Sequence, residues 1–275
     1  MDQNRREFLK AAGVSAFLLG CGSPFLMLAP GAFRKGPSAL GGKRWAMTVD
    51  LQACNACGVC TDICHAVHNV PPLIQESAPP IPPDHLPRIP DPRHEVKWIW
   101  LERFPEVFPD QAEGLPPSPQ RSQRLPVLCN HCVNPSCVQV CPTKATFKRE
   151  DGIVMMDEHR CIGCRYCMTA CPYGSRSFNF VDPRPFIPKT DPDFPTRTKG
   201  VVENCNFCEE RLADGRIPAC VEACAGLAAE RKVTPPLLFG DLSDSSSGVF
   251  KAVQNRHVLR RKAELGNEPN VFYLL

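Results

Sequence analysis

Apolar residues occur along most of the chain in short runs, separated by proline, glycine and charged residues, and only one apolar stretch is long. That stretch runs from residue 11 to residue 32 and contains Gly13, Gly20, Pro24 and Pro30. It therefore predicts a poor transmembrane helix, although its length could just span a bilayer. No second apolar run of spanning length follows, so we do not expect the body of the protein to lie within a membrane.

The short runs predict short strands and short helices. Residues 145–157 (ATFKREDGIVMMD) predict a β-hairpin, because Asp151 and Gly152 supply the positive φ angles of a tight turn. The three-residue segments between paired cysteines, such as 168–170 and 221–223, suit short helices that place both cysteines on one face. Combined with long loops, these elements predict an α+β fold.

Residues 71–119 contain 14 of the 30 prolines of the chain. This composition is typical of a mobile linker. However, residues 96–101 (VKWIWL) form an apolar island, and Trp98 and Trp100 would share one face of an extended segment. We interpret the region as an ordered insertion that contacts a partner, because aromatic residues are enriched in interface cores. The mobile linker is the alternative.

Cysteine provides the strongest chemical signal. Of 17 cysteines, one is Cys21 and the other sixteen form four groups. The groups are Cys54, Cys57, Cys60 and Cys64; Cys129, Cys132, Cys137 and Cys141; Cys161, Cys164, Cys167 and Cys171; and Cys205, Cys208, Cys220 and Cys224. The first and third groups have the C-x2-C-x2-C-x3-C spacing of bacterial ferredoxins, which predicts [4Fe–4S] clusters. The net charge of +3 gives no indication of a nucleic-acid-binding surface.

Other uses of the cysteines fit the spacing less well. Zinc sites use paired C-x2-C units but do not require a third and a fourth cysteine at these spacings. Disulfides between cysteines two or three residues apart seldom reach bridging geometry. Each group already contains four cysteines, so we expect the neighbouring His65, His68 and His131 to be hydrogen-bonding or surface residues, with iron ligation as the alternative.

The first residues predict export. Arg5 and Arg6, followed by Phe8, Leu9 and Lys10, resemble a twin-arginine signal, which directs folded, cofactor-containing proteins across the cytoplasmic membrane. We expect the protein to be periplasmic and peripheral to the membrane, with residues 1–32 removed by cleavage near Ala29 to Ala32. Lipidation at Cys21, retention as an uncleaved anchor, and a cytosolic protein with a basic start are the alternatives.

The order and spacing of the four cysteine groups resemble the four-cluster ferredoxin subunits of exported membrane oxidoreductases, from about Trp45 to Leu275. The resemblance implies nested ferredoxin-like modules and four [4Fe–4S] clusters. It also implies that each cluster takes three cysteines from one group and one from another. The implied ligand sets are Cys54, Cys57, Cys60 and Cys224; Cys64, Cys205, Cys208 and Cys220; Cys129, Cys132, Cys137 and Cys171; and Cys141, Cys161, Cys164 and Cys167.

Several longer phrases resemble one branch of this family, the DsrO subunits of the DsrMKJOP complexes of dissimilatory sulfur metabolism. They are CHAVHNVP (64–71), KWIWLERFP (97–105), FKREDGIVMMDEHRCIGCRYC (147–167), SFNFVDPRPF (177–186) and RRKAELGNEPNVFYLL (260–275). This resemblance implies an NrfD-like (DsrP-like) integral membrane partner, a multihaem cytochrome c (DsrJ-like) partner and the other DsrMKJOP subunits. Membrane association would then occur through partners.

These observations predict a non-enzymatic electron-transfer subunit that relays electrons between a quinone-reactive membrane subunit and a multihaem cytochrome. One alternative is the electron-transfer subunit of a molybdenum oxidoreductase or nitrite reductase complex. The other is a zinc- or disulfide-stabilised exported binding protein. The predicted organisation is a signal segment (1–32), an outer ferredoxin-like module (45–70 with 197–232), a Pro-rich insertion (71–119), an inner ferredoxin-like module (120–196) and a C-terminal extension (233–275).

Overall fold

A computed structural model of the protein describes residues 42–73, 89, 91–112 and 124–275. The predicted export signal, its cleavage site and Cys21 lie outside these residues, as do parts of the proline-rich region, so the predictions for them stay predictions. Within the described ranges, no helix is long and apolar enough to cross a membrane.

Regular elements in the described residues are short. The helices are α1 Val59–Val67, α2 Phe104–Val107, α3 Pro109–Ala112, α4 Ser136–Gln139, α5 Tyr166–Ala170, α6 Glu209–Ala213, α7 Ala219–Glu230 and α8 Gly248–Asn255. The strands are β1 Trp45–Asp50, β2 Ile99–Arg103, β3 Arg124–Leu128, β4 Thr146–Lys148, β5 Val154–Met156, β6 Ser177–Phe178, β7 Val202–Glu203, β8 Leu237–Asp241, β9 Val258–Leu259 and β10 Val271–Leu274. The predicted α+β fold with short strands and helices is confirmed.

A four-stranded sheet connects the beginning and the end of the described chain. β1 lies between β8 and β10, antiparallel to β8 and parallel to β10, and β9 follows at the far side of β10. Successive side chains of a strand point to opposite faces. Met47 and Val49 of β1 therefore belong to the main core, whereas Ala46 packs with Phe272 on the other face, under α8. The segment 233–275, which we predicted as a C-terminal extension, thus contributes three strands to this sheet.

The other strands form three antiparallel pairs, β2 with β3, β4 with β5, and β6 with β7. The pairing of β4 with β5 confirms the predicted hairpin. At its turn Gly152 has a φ of 87°, and the Asp151 side chain accepts a hydrogen bond from the Ile153 N–H at 3.3 Å. This hairpin lies between Cys141 and Cys161 and connects the second and third cysteine groups.

The apolar island of the proline-rich region is part of the protein's own core. Trp98, Ile99 and Trp100 have exposed fractions of only 3%, 1% and 8%. β2 pairs along its whole length with β3. Trp98, Ile99 and Trp100 all belong to the main hydrophobic core, so their side chains are covered by the same chain. The segment is ordered, as we predicted, but the prediction that its tryptophans contact a partner is wrong, because their side chains are already buried.

A buried ion pair holds Trp98 against the rest of the fold. Arg197 and Glu203 have side chains that are 2% and 1% exposed, and Arg197 Nε donates to Glu203 Oε2 at 2.8 Å. The same oxygen accepts a hydrogen bond from Trp98 Nε1 at 2.8 Å, and Oε1 accepts one from the Asn179 side chain. Arg197 also donates to the carbonyl oxygen of Asn69. Trp98, Asn179 and Arg197 therefore all donate to one buried carboxylate, and Arg197 connects it to Asn69.

We predict that Glu203→Gln destabilises the protein by about 3–5 kcal/mol, because it leaves the Arg197 guanidinium buried without its counter-charge. The measurement is the thermal unfolding midpoint, followed by circular dichroism. The matched control is Glu106→Gln, which removes the same charge from the exposed pair of Arg103 and Glu106 and should leave the midpoint unchanged. Equal midpoints for the two variants would contradict the role assigned to Glu203.

Candidate metal centres

Each cysteine group lies on a loop that leads into a short helix. Cys54 and Cys57 precede α1, which carries Cys60 and Cys64 four residues apart. In the second and third groups, the third cysteine lies on the helix (α4 or α5) and the fourth follows it. In the fourth group, Cys205 and Cys208 precede α6, and the remaining two cysteines lie on α7. Helical residues four apart share a face, so paired thiols of α1 and α7 lie on one side of each helix.

The same backbone turn occurs in all four loops. The residue just before the second cysteine is in the left-handed region in each group, with φ of 55° at Ala56, 41° at His131, 68° at Gly163 and 56° at Phe207. A left-handed residue in such a turn points consecutive N–H groups to the same side, where they form a nest for anions. The Phe207 N–H accordingly donates to the Cys205 sulfur at 3.4 Å.

This shared turn escaped sequence reasoning. Glycine favours the left-handed region, but only Gly163 among the four residues is glycine. Gly163 also has a steric requirement, because a Cβ atom there would lie 2.6 Å from the Gly200 carbonyl oxygen. At Ala56, His131 and Phe207 the cysteines themselves must keep the turn in place, which is what ligation to a common centre would do.

The structure brings the sixteen cysteines together in four sets of four. Two sets line small cavities that open to solvent. The first of these cavities contains Cys129, Cys132, Cys137 and Cys171 (the third set), and the second contains Cys141, Cys161, Cys164 and Cys167 (the fourth set). Each set combines three cysteines of one group with one cysteine of another.

The other two sets are identified by electrostatic interactions between thiols. Around Cys60 lie Cys54, Cys57 and Cys224 (the first set), and around Cys64 lie Cys205, Cys208 and Cys220 (the second set). Burial, followed by the charges of these neighbours, raises the pKa of Cys60 to about 12. The same causes raise the pKa of Cys64 well above its ordinary value. Four sulfurs so close together become anionic only where a cation binds them.

The four sets follow one another in the order first, second, third, fourth. Cys60 of the first set raises the pKa of Cys64 in the second, although less than burial and the nearer thiols do. In the same way, the charge of Cys129 in the third set raises the pKa of Cys205 in the second. The charge of Cys137 in the third set raises the pKa of Cys167 in the fourth. Each set therefore lies close enough to the next for their charges to interact.

Solvent reaches only some of the sets. Among the sixteen described thiols, two are exposed, Cys57 in the first set and Cys164 in the fourth. All four cysteines of the second set are buried. The first and fourth sets thus each have one thiol exposed to water, whereas the second set is covered by protein.

The three histidines beside the cysteines make hydrogen bonds within the protein. His65 Nδ1 lies 2.9 Å from the Pro71 carbonyl oxygen, and His131 Nδ1 accepts a hydrogen bond from the Val154 N–H at 3.0 Å. Burial lowers the pKa of His65 to about 4 and that of His131 to about 3, so both are neutral at pH 7. These contacts agree with the expectation that these histidines are hydrogen-bonding residues.

His68 is in a different environment. Its Nε2 lies 3.0 Å from a carboxylate oxygen of Glu210. Burial lowers the pKa of His68, but hydrogen bonds to Cys208 and Glu210 outweigh burial and raise it to about 9. His68, Cys208 and Glu210 are close enough to one another to hold a metal ion. Cys208, however, is also a member of the second set, where it lies beside Cys64.

The donor sets fit iron–sulfur clusters. Each set offers four thiols, backbone N–H groups donate to Cys205 and Cys208, and none of the sixteen described cysteines forms a disulfide. Thiolate sulfurs with N–H donors are the ligands of [4Fe–4S] clusters.

Comparison with known proteins agrees with this chemistry. Residues 121–182 match the model of a 4Fe-4S dicluster domain. The chain is 38% identical to iron-sulfur subunit 1 of an Hdr-like menaquinol oxidoreductase from Archaeoglobus fulgidus, over 98% of this chain and 97% of that protein. It is 34% identical to a tetrathionate reductase subunit from Salmonella typhimurium, over 100% of this chain and 89% of that one.

A third relative is the iron-sulfur cluster-binding subunit of a menaquinone reductase from Nitratidesulfovibrio vulgaris, 34% identical over 84% of this chain and 88% of that protein. The chain belongs to the iron–sulfur subunit family of oxidoreductase complexes. Homologues of this iron–sulfur subunit are electron-transfer subunits, which confirms the prediction of an electron-transfer role and no enzymatic role. Membership of this family excludes the zinc- or disulfide-stabilised binding protein.

We predict that Gly163→Ala lowers both the iron content and the thermal unfolding midpoint of this iron–sulfur subunit. The added Cβ atom would clash with the Gly200 carbonyl oxygen and displace the loop between Cys161 and Cys164. The measurements are iron per chain and thermal unfolding after anaerobic purification.

The control is Gly174→Ala, at nearly the same backbone angle (φ of 66° against 68°) but with no atom within 4 Å of the new Cβ. Gly174→Ala should lower the free energy of unfolding by about 1–2 kcal/mol, because alanine is strained in the left-handed region, and it should leave the iron content unchanged. Equal iron content in the two variants would show that close approach to Gly200 does not matter for the loop.

Proposed function

We propose that the protein binds four [4Fe–4S] clusters and acts as a periplasmic electron relay within a membrane-associated oxidoreductase complex. The observation that supports this most directly is the gathering of sixteen thiols into four sets of four that follow one another. Each cluster supplies a site that accepts and releases one electron. The protein holds these sites in order and sets their potentials through burial, hydrogen bonds and charge.

The proposed ligands are the members of the four sets. The first set is Cys54, Cys57, Cys60 and Cys224, and the second is Cys64, Cys205, Cys208 and Cys220. The third is Cys129, Cys132, Cys137 and Cys171, and the fourth is Cys141, Cys161, Cys164 and Cys167. In this arrangement groups one and four form one ferredoxin-like module and groups two and three form the other, nested inside it.

The exposed thiols indicate where electrons enter and leave. Electron exchange with a partner requires close approach, and Cys57 and Cys164 bring the first and fourth sets to the protein surface. The second set has no exposed cysteine and would exchange electrons within the protein. A series with one open site at each end suits a subunit that connects two different partners.

The partners we propose are a quinone-reactive NrfD-like membrane subunit and a multihaem cytochrome c. Relatives named as menaquinol oxidoreductase and menaquinone reductase subunits support a quinone-reactive partner. The DsrO-like phrases of the sequence support a complex of dissimilatory sulfur metabolism with DsrP-like and DsrJ-like subunits. The twin-arginine-like motif at Arg5 and Arg6 supports export to the periplasm, with membrane attachment through the partners.

We predict that the anaerobically purified protein contains about sixteen iron atoms per chain, as four clusters with four cysteine ligands each require. In Cys164→Ser, the signals of one cluster should change or disappear in electron paramagnetic resonance spectra while the other three clusters persist. Cys21→Ser, at the cysteine outside the four groups, is the control and should retain the full iron content. A wild-type protein with iron for only two or three clusters would refute the four-cluster proposal.

We further predict that affinity purification of the tagged protein from solubilised native membranes recovers an NrfD-like subunit and a multihaem cytochrome c, identified by mass spectrometry. Recovery of a large molybdenum-containing subunit instead would favour a tetrathionate-reductase-like complex, in agreement with the Salmonella relative. Tagged protein in the cytoplasmic rather than the periplasmic fraction would contradict the proposed export.

A further inference from the structure

Arg176 is a charged residue that sequence reasoning missed. It lies five positions after Cys171 in the polar segment GSRS, where nothing distinguishes it from a surface arginine. In the structure its exposed fraction is 4%. A buried arginine requires a compensating charge or a complete set of hydrogen-bond acceptors.

The partners of Arg176 are unusual for a buried cation. Nη2 donates to the Cys137 sulfur at 3.3 Å, and Nη1 donates to the Thr146 hydroxyl at 3.2 Å. The Met156 sulfur lies 3.8 Å from Nη1. Among the ion pairs of the described residues, none joins Arg176 to a carboxylate, in contrast to Arg197 with its partner Glu203. Of these partners only the Cys137 sulfur can carry a negative charge, so thiolates are the anions beside Arg176.

Those thiolates belong to two sets. Arg176 contacts Cys137 of the third set directly and lines the cavity of that set. It reaches the fourth set through Thr146, whose N–H donates to the Cys141 sulfur at 3.4 Å, and its charge lowers the pKa of Cys167. The guanidinium thus lies between the two sets of the inner module.

We propose that Arg176 is a positioning residue that raises the reduction potentials of the two inner clusters together. Reduction adds one negative charge to a cluster, and a fixed cation in a medium of low dielectric constant stabilises the reduced form. The effect is larger for the third set, which Arg176 contacts directly, than for the fourth, which it reaches through Thr146. This proposal rests on the ligand sets given under Proposed function.

The test is a redox titration of the purified holoprotein, followed by electron paramagnetic resonance, together with iron analysis. The variants are Arg176→Met and Arg176→Gln, which remove the charge, and Arg176→Lys, which keeps it. The control is Arg160→Gln, which removes a charge beside Cys161 from a side chain that is 66% exposed, where solvent screens its effect.

We expect the two neutral variants to retain the iron of the wild type and to lower two of the four midpoint potentials, one more than the other. Arg176→Lys should lower the same two potentials less, and Arg160→Gln should lower none. Four unchanged potentials in neutral variants with full iron content would overturn the proposal, as would an equal shift of all four.

If the neutral variants lose iron, Arg176→Lys decides between potential tuning and assembly. Lysine keeps the charge but, on a shorter side chain, places it farther from Cys137, so a smaller lowering of the same two potentials in the lysine variant supports the proposal. Wild-type potentials would show that the distance of the charge from the clusters does not matter and would overturn the proposal, as would loss of iron from the lysine variant, which assigns Arg176 to assembly alone. The iron content of the wild type distinguishes failure of the Arg176 proposal from failure of the proposed function. A value below about sixteen iron atoms per chain refutes the four-cluster function itself.

Discussion

The rest of the structure depends on bringing thiols from distant parts of the sequence into common sets. The first set joins Cys54 to Cys224, and the second joins Cys64 to Cys205, so the chain between them must return to its starting point. Closing such long loops costs conformational entropy, which metal ligation can offset because ligand binding is also folding energy. The parallel pairing of β1 with β10 makes the same closure independently of any metal. The outer sets therefore lie where the two ends of the fold are already held together.

Anionic sulfur in a protein interior also requires compensating groups, and the structure meets this need differently in the two modules. In the inner module Arg176 supplies a full positive charge between the third and fourth sets. In the outer module the N–H groups of Phe207 and Ala219 donate to Cys205 and Cys208, and His68, whose pKa is raised to about 9, lies beside Cys208. A fixed charge stabilises a reduced cluster more than backbone dipoles do. The geometry thus gives the inner and outer sites different electrostatic environments, even though all four sets consist of cysteine alone.

The sequence predicted the local features well because they depend on residues close together in the chain. The short helices and the turn at Asp151 and Gly152 are of this kind, and the structure shows both. The features that sequence reasoning missed depend on residues far apart. Trp98 is buried in the main core, where Glu203, 105 positions away, accepts its N–H, and a composition rich in proline cannot reveal this. Arg176 likewise has polar neighbours in the sequence, as a surface arginine would, and only the folded chain places it beside Cys137.

The distribution of exposure suits an electron relay. Burial of the second set keeps water away from the middle of the series, where reorganisation of solvent would slow each electron transfer. Cys57 and Cys164 then bring the first and last sets of the series to the surface. In this arrangement electrons enter and leave at the first and fourth sets. The molecules that bind beside these two sets therefore decide to which oxidoreductase complex the protein belongs.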